Sequence, residues 1–107
     1  MEQLKFADPL PELILSCKKS TTWRINDKRN IAKGDMISLC YNDGKEFAKA
    51  IVMDTRVTSF ENLTEEDKEG HEEFSSDKEM YQTYSRYYNM NVTPRTSLKV
   101  IKFRLLL

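Results

Sequence analysis

The chain has 107 residues, which suits one domain over 1–107 and hardly two. Lys and Arg together number 17, as do Asp and Glu, so the formal net charge is zero. That balance excludes the strongly basic field of a non-specific nucleic-acid binder and leaves any such contact to a local patch. No stretch approaches the roughly 20 apolar residues of a membrane span, and no basic start runs into an apolar segment, so a cytoplasmic protein with no membrane partner is expected.

The first element expected is a short helix. Asp8 is a capping type, Pro9 suits a first helical position, and Leu10, Leu13 and Ile14 recur at helical spacing before an end near Cys17. Thr21-Thr22-Trp23-Arg24-Ile25 is rich in β-branched and aromatic residues and reads as a strand. Alternation places Thr22 and Arg24 on one face, with Thr21, Trp23 and Ile25 on the core face. Lys33-Gly34-Asp35 marks a turn, and Met36 to Tyr41 a strand. Asn42-Asp43-Gly44 is a hairpin turn, because these residues tolerate positive φ. Its partner strand runs from about Glu46 to Phe60, long enough to need a bend or bulge.

Thr64 caps a short acidic helix that reaches Glu69-Gly70. A second helix spans Asp77 to Tyr88, with Met80, Tyr84, Tyr87 and Tyr88 forming one packed face and Asn89 or Asn91 ending it. Ser97 to Leu106 is the last strand, and its apolar phase slips after Val100, which predicts a bulge or burial on both sides. Strands dominate, which predicts an α+β fold: a small barrel of five to six strands with two or three flanking helices.

The chemistry-bearing candidates concentrate in Lys18-Lys19-Ser20-Thr21-Thr22-Trp23-Arg24. A lysine whose pKa is lowered by burial or a neighbouring cation can activate a hydroxyl, and an acid from the 65–73 stretch can move a proton. Read bottom-up, the plainer meaning is an exposed loop followed by an ordinary strand. Cys17, Cys40 and His71 form no metal-ligand spacing, so neither a metal nor a cofactor is expected, and both cysteines are read as reduced thiols. His71 lies in a polar run and is read as an exposed histidine; the tyrosine row and Trp23 are read as core.

The segment Leu15 to Arg24 resembles the signature of the ASCH domain family, a helix running into a G-x-K-x-x-T-x-R-like turn and strand. Four further landmarks follow in the family's order: Lys33-Gly34-Asp35, then Leu63 to Asp67 with Glu69-Gly70, then Tyr87-Tyr88, then Val100-Ile101-Lys102-Phe103. The resemblance implies a PUA-like barrel with a cleft facing the Lys-Thr-Arg strand, binding RNA or a modified nucleoside. One bacterial branch hydrolyses acetylated cytidine with a lysine, a threonine and a glutamate, which fall by motif on Lys19, Thr22 and Glu69. Lys18 and Arg24 fall where substrate or RNA contacts are implied.

The chain departs from the pattern in three places. Cys17 stands where the family usually has glycine, and the 64–69 segment is shorter than in the hydrolase branch. An ungapped match puts His71 at the glutamate's position, with Glu72 the other nearby acid, so the third residue is Glu69 or Glu72. A binding module and an amidohydrolase are therefore both expected. Glu69 pointing into the cleft within hydrogen-bond reach of Lys19 or Thr22 favours the second; Glu69 pointing outward with the helix surface favours the first.

Overall fold

The computed structural model describes residues 1–106. In chain order its elements are β1 (Gln3–Phe6), α1 (Leu10–Leu15), β2 (Thr21–Arg24), β3 (Met36–Tyr41), β4 (Glu46–Ser59), a 3-10 turn (Phe60–Asn62), α2 (Glu65–Lys68), α3 (Asp77–Tyr88) and β5 (Ser97–Leu106). This is an α+β fold built on one five-stranded sheet in the order β1-β3-β4-β5-β2. β1 runs parallel to β3, and every other pairing is antiparallel.

Local chemistry accounts for most of these boundaries. The β3–β4 hairpin turns through Gly44 at φ +90°, with the Tyr41 and Lys45 backbones bonded across it at 2.9 Å. Thr64 forms a capping box with Asp67, each side chain accepting from the other's backbone N–H. Asn89 ends α3 in the left-handed conformation at φ +50°. Asp8 makes no side-chain cap on α1, whose N-cap position belongs to Pro9.

Two bulges bend the long β4. Its register against β3 shifts at Leu39/Cys40, and against β5 at Val52/Asp54. A bulge adds a residue on one strand and sharpens the local twist, so the sheet curls. It does not close: among the described residues β1 and β2 remain the two edges of the ladder. The expected small α+β barrel is thus a curled, open sheet. The curl nevertheless brings the edges within reach, and Arg24 Nη2 of β2 donates to the Lys5 carbonyl of β1 at 2.9 Å. β1 itself was not anticipated.

Two cores flank the curled sheet. Leu4, Phe6, Ile14, Ile37, Leu39, Val52, Ile101 and Phe103 pack in one. Trp23, Ile25, Phe60, Met80, Tyr84, Val92, Leu98 and Val100 pack in the other. The phase slip in β5 is the crossing between them: Leu98 and Val100 face the second core, Ile101 and Phe103 the first. The bulge that accompanies it lies on the partner strand β4.

Candidate functional site

The gap between the two edge strands is a cleft. A cavity of about 360 Å³ opens there, lined by Lys5 and Phe6 from β1, Thr22 and Arg24 from β2, Lys19 and Glu72 from the flanking turns, and Tyr84, Tyr87 and Tyr88 from α3. Its volume lies at the small end of small-molecule sites.

Lys19 reaches this cleft through a strained turn. After α1 the Cys17 N–H bonds to Ile14 O at 3.0 Å and the Lys18 N–H to Leu13 O at 2.8 Å, the two bonds of a Schellman stop. Cys17 sits at φ +63° within it. Glycine reaches that region freely, whereas a side chain pays roughly 1–2 kcal/mol. The turn tolerates Cys17 and still delivers Lys19 into the interior, where it is only 3% exposed.

Lys19 Nζ donates to Glu72 Oε2 at 2.6 Å and to the Thr21 carbonyl at 2.7 Å. Burial pulls its pKa below the usual lysine range, against the opposing charge of Glu72, and Arg24 adds to the lowering. Burial pushes Glu72 upward, but Lys19, His71 and the hydrogen bonds to the carboxylate together outweigh it and hold the carboxyl below its ordinary value. Thr22 is buried, and its Oγ1 accepts from Arg24 Nε at 3.2 Å, which leaves the hydroxyl proton free to be donated.

Of the expected site residues, the structure therefore brings together Lys19, Thr22 and Arg24. Lys18 is exposed and does not line the cavity. Glu69 is outside it as well. α2 is a single turn that ends at Lys68, and Gly70 at φ +78° swings the chain round, so Glu69 caps the helix, is exposed, and lines a separate acidic concavity with Glu65, Glu66 and Glu73. Its backbone carbonyl still matters, accepting from Thr21 Oγ1 at 2.6 Å. The acid beside Lys19 is Glu72.

Gly70 is the pin of this arrangement. Its carbonyl accepts from the Ser20 N–H at 2.8 Å and the Thr21 N–H at 3.1 Å, tying the acidic loop to the free edge of β2. A Cβ there would overlap Ser20 Oγ and sit 3.1 Å from Thr21 Oγ1. Ser20 can rotate away, but Thr21 is held by Glu69 O and the left-handed φ remains. Gly70→Ala is expected to lower unfolding free energy by about 2 kcal/mol, read by urea denaturation; an unchanged midpoint would show the loop to be loosely attached.

His71 corrects the expectation of an exposed histidine. It is buried and stacks on Trp23, with centroids 3.7 Å apart and planes at 12°. Nδ1 lies 2.9 Å from the Glu72 carbonyl, which only accepts, so Nδ1 carries the proton and Nε2 accepts from Tyr84 Oη at 2.8 Å. Burial, then the charge of Lys19, lowers its pKa to about 4, so the ring is neutral near pH 7. Tyr87 also departs from the expected packed face. It is 57% exposed, at the cavity mouth. Trp23 is core as expected, its Nε1 donating to Asp67 O at 3.0 Å.

Larger concavities exist elsewhere. In one, Arg56 Nη2 pairs with Asp67 at 2.7 Å, and Asp67 is committed to capping α2. Among the described residues no group of three or more His, Cys, Asp or Glu side chains is arranged to hold a metal ion. Nor is any helix there long and apolar enough to cross a membrane.

No protein-family model matches the chain, and no curated protein is a significant match. Solved structures do match. A hypothetical protein, PH0355, superposes with a TM-score of 0.74 at 24% identity, over 99% of this chain and 100% of that one. A Pyrococcus furiosus protein known in solution superposes with a TM-score of 0.67 at 27% identity, over 98% and 96%. The ASCH domain from Lactobacillus crispatus JV V101 superposes with a TM-score of 0.69 at 14% identity, over 97% of this chain and 79% of that one. That superposition shows that the protein has an ASCH-like fold.

Proposed function

We propose that the protein binds a nucleoside unit, free or within RNA, in the cleft between β1 and β2. The observation that carries this reading is buried Lys19 paired with half-buried Glu72, with Thr22 lining the same cavity, which tyrosines wall. Polar groups fixed in a largely apolar pocket give orientation, and exposed aromatic rings accept a base by stacking. The ASCH-like fold supports the same reading. Zero net charge suits a nucleoside or a short single strand better than a duplex, whose affinity comes mainly from neutralised phosphates.

A second reading, amidohydrolysis of acetylcytidine, is favoured by one observation: an acid does lie within hydrogen-bond reach of Lys19, although it is Glu72 and not Glu69. In that chemistry Lys19, in its neutral form, takes the Thr22 hydroxyl proton while Oγ1 adds to the acetyl carbonyl. The cytidine amine leaves with a proton relayed through Glu72, and water then releases acetate from Thr22. Arg24 holds the threonine oxygen in place.

One experiment serves both readings. Acetylcytidine and cytidine are titrated by calorimetry, and cytidine release is followed by chromatography. Saturable binding that is lost in Lys19→Met is the expected result; absence of binding by folded protein would overturn the nucleoside reading. If turnover is present, Glu72→Gln is expected to cut it at least about 100-fold while Glu69→Gln leaves it intact. Binding without turnover retires the hydrolase and leaves the binding module.

A further inference from the structure

We propose that Arg24 is an anion seat and that the preferred ligand of the cleft is a phosphomonoester, a mononucleotide, in place of a bare nucleoside. This rests on the nucleoside reading above and adds the phosphate to it.

Arg24 has no counter-ion among the described residues: it is half-buried, yet no carboxylate there lies within ion-pair distance of it. Its neighbour Arg29 takes the nearby acids, with Nη1 3.0 Å from Asp27 Oδ1 and Nε 3.7 Å from Glu2 Oε2. Partly desolvating a charge without a partner is costly, and the usual remedy is an anion.

The guanidinium is also held still. Nε donates to Thr22 Oγ1 at 3.2 Å, Nη2 to Lys5 O at 2.9 Å, and the Phe6 ring centroid lies 4.7 Å from Cζ. Those bonds use two of the five N–H donors an arginine carries and leave three without a partner among the described residues. A pre-oriented planar fork with spare donors matches a phosphate, which takes two parallel N–H bonds.

The rest of the cavity agrees in sign and shape. Its cations are Lys5, Lys19 and Arg24, and its one carboxylate, Glu72, is consumed by Lys19 at 2.6 Å. Arg24 is left without a carboxylate among the described residues, its Nη2 fixed on the Lys5 backbone carbonyl at one end of the cavity. At the mouth, Tyr87 presents an exposed ring, braced edge-on against Tyr84 with centroids 5.8 Å apart. A base on Tyr87 with its phosphate on Arg24 uses the aromatic wall and the uncompensated charge together.

The test compares cytidine with cytidine 5′-monophosphate, and adenosine with its 5′-monophosphate, by calorimetry at low salt on the wild-type protein. The monophosphate is expected to bind roughly 10- to 100-fold tighter, the range given by charge-assisted hydrogen bonds. Added salt is expected to erode that advantage. Arg24→Gln is expected to remove most of it and Arg24→Lys only part, with circular dichroism reporting the fold; if Arg24→Gln does not fold, Arg24→Lys, which keeps the charge and loses the planar fork, gives the comparison. A single-stranded trinucleotide binding tighter than the mononucleotide would overturn the mononucleotide as preferred ligand and assign the seat to a strand backbone. Equal affinities for nucleoside and mononucleotide would overturn the seat alone. Absence of binding by all of these ligands would overturn the nucleoside reading and the seat with it.

Discussion

Glu72→Ala is expected to lower unfolding free energy by about 3 kcal/mol, because it strands a buried ammonium. Lys19 is 3% exposed, and without Glu72 its Nζ keeps only the Thr21 carbonyl as partner. The loss should shrink as pH rises toward the alkaline range. A lysine whose folded pKa lies below its unfolded value binds fewer protons folded than unfolded, so stability climbs with pH through that interval. Replacing both partners, Lys19→Met with Glu72→Met, is expected to recover most of the stability, since an apolar pair of similar size needs no hydration. Urea denaturation of the two single variants and the double variant gives the coupling directly. An additive double variant would mean that the 2.6 Å contact carries no interaction energy.

The second large effect is acid sensitivity through His71. Its side chain is 1% exposed and its pKa is lowered to about 4, against a reference near 6.5 for a free histidine. Between those values the unfolded chain binds a proton that the folded one does not. Stability from this group is therefore complete above about pH 6.5 and falls by about 3 kcal/mol as the pH drops to 4. Asp67 acts lower on the scale. The hydrogen bond from Arg56 holds its carboxyl at about 2, so its contribution is lost between roughly pH 4 and 2. Thermal melts from pH 7 to 4 are expected to show the histidine-driven decline. His71→Gln, whose amide still offers a donor and an acceptor, is expected to start lower but run nearly flat over that interval. A wild-type melting temperature that stays constant from 6.5 to 4.5 would contradict a buried neutral imidazole.

Elements governed by local rules were legible from sequence. Asp77–Tyr88 and Ser97–Leu106 fall where periodicity put them, and the Asn42-Asp43-Gly44 turn, the Thr64 cap and the Asn89 stop follow from side-chain chemistry within a few positions. The split of Thr22 and Arg24 from Trp23 and Ile25 also followed from alternation alone. What escaped were facts fixed by distant partners. His71 sits among Gly70, Glu72 and Glu73, and the rings that bury it, Trp23 and Tyr84, lie far away along the chain. The choice between Glu69 and Glu72 turned on one glycine's φ, which spacing does not encode. Tyr87 has the helical spacing of a core residue, but that side of α3 meets the cleft. β1 offers only four residues and gains its place by pairing with β3, more than thirty positions later.

The seam between the edge strands has a consequence for cooperativity. Phe6 on one wall belongs to the first core; Trp23 and Tyr84 on the other belong to the second. Side-chain bonds across the seam, such as Arg24 to Lys5, are few beside the continuous ladders within the sheet. Each half is thus a potential foldon, able to open against the other at lower cost than global unfolding. A ligand lodged in the seam touches both halves and binds only when they are shut, so it acts as mortar: occupancy raises the cost of parting them by mass action. The same open edge that keeps the sheet from closing on itself would then make folding and recognition a single coupled equilibrium.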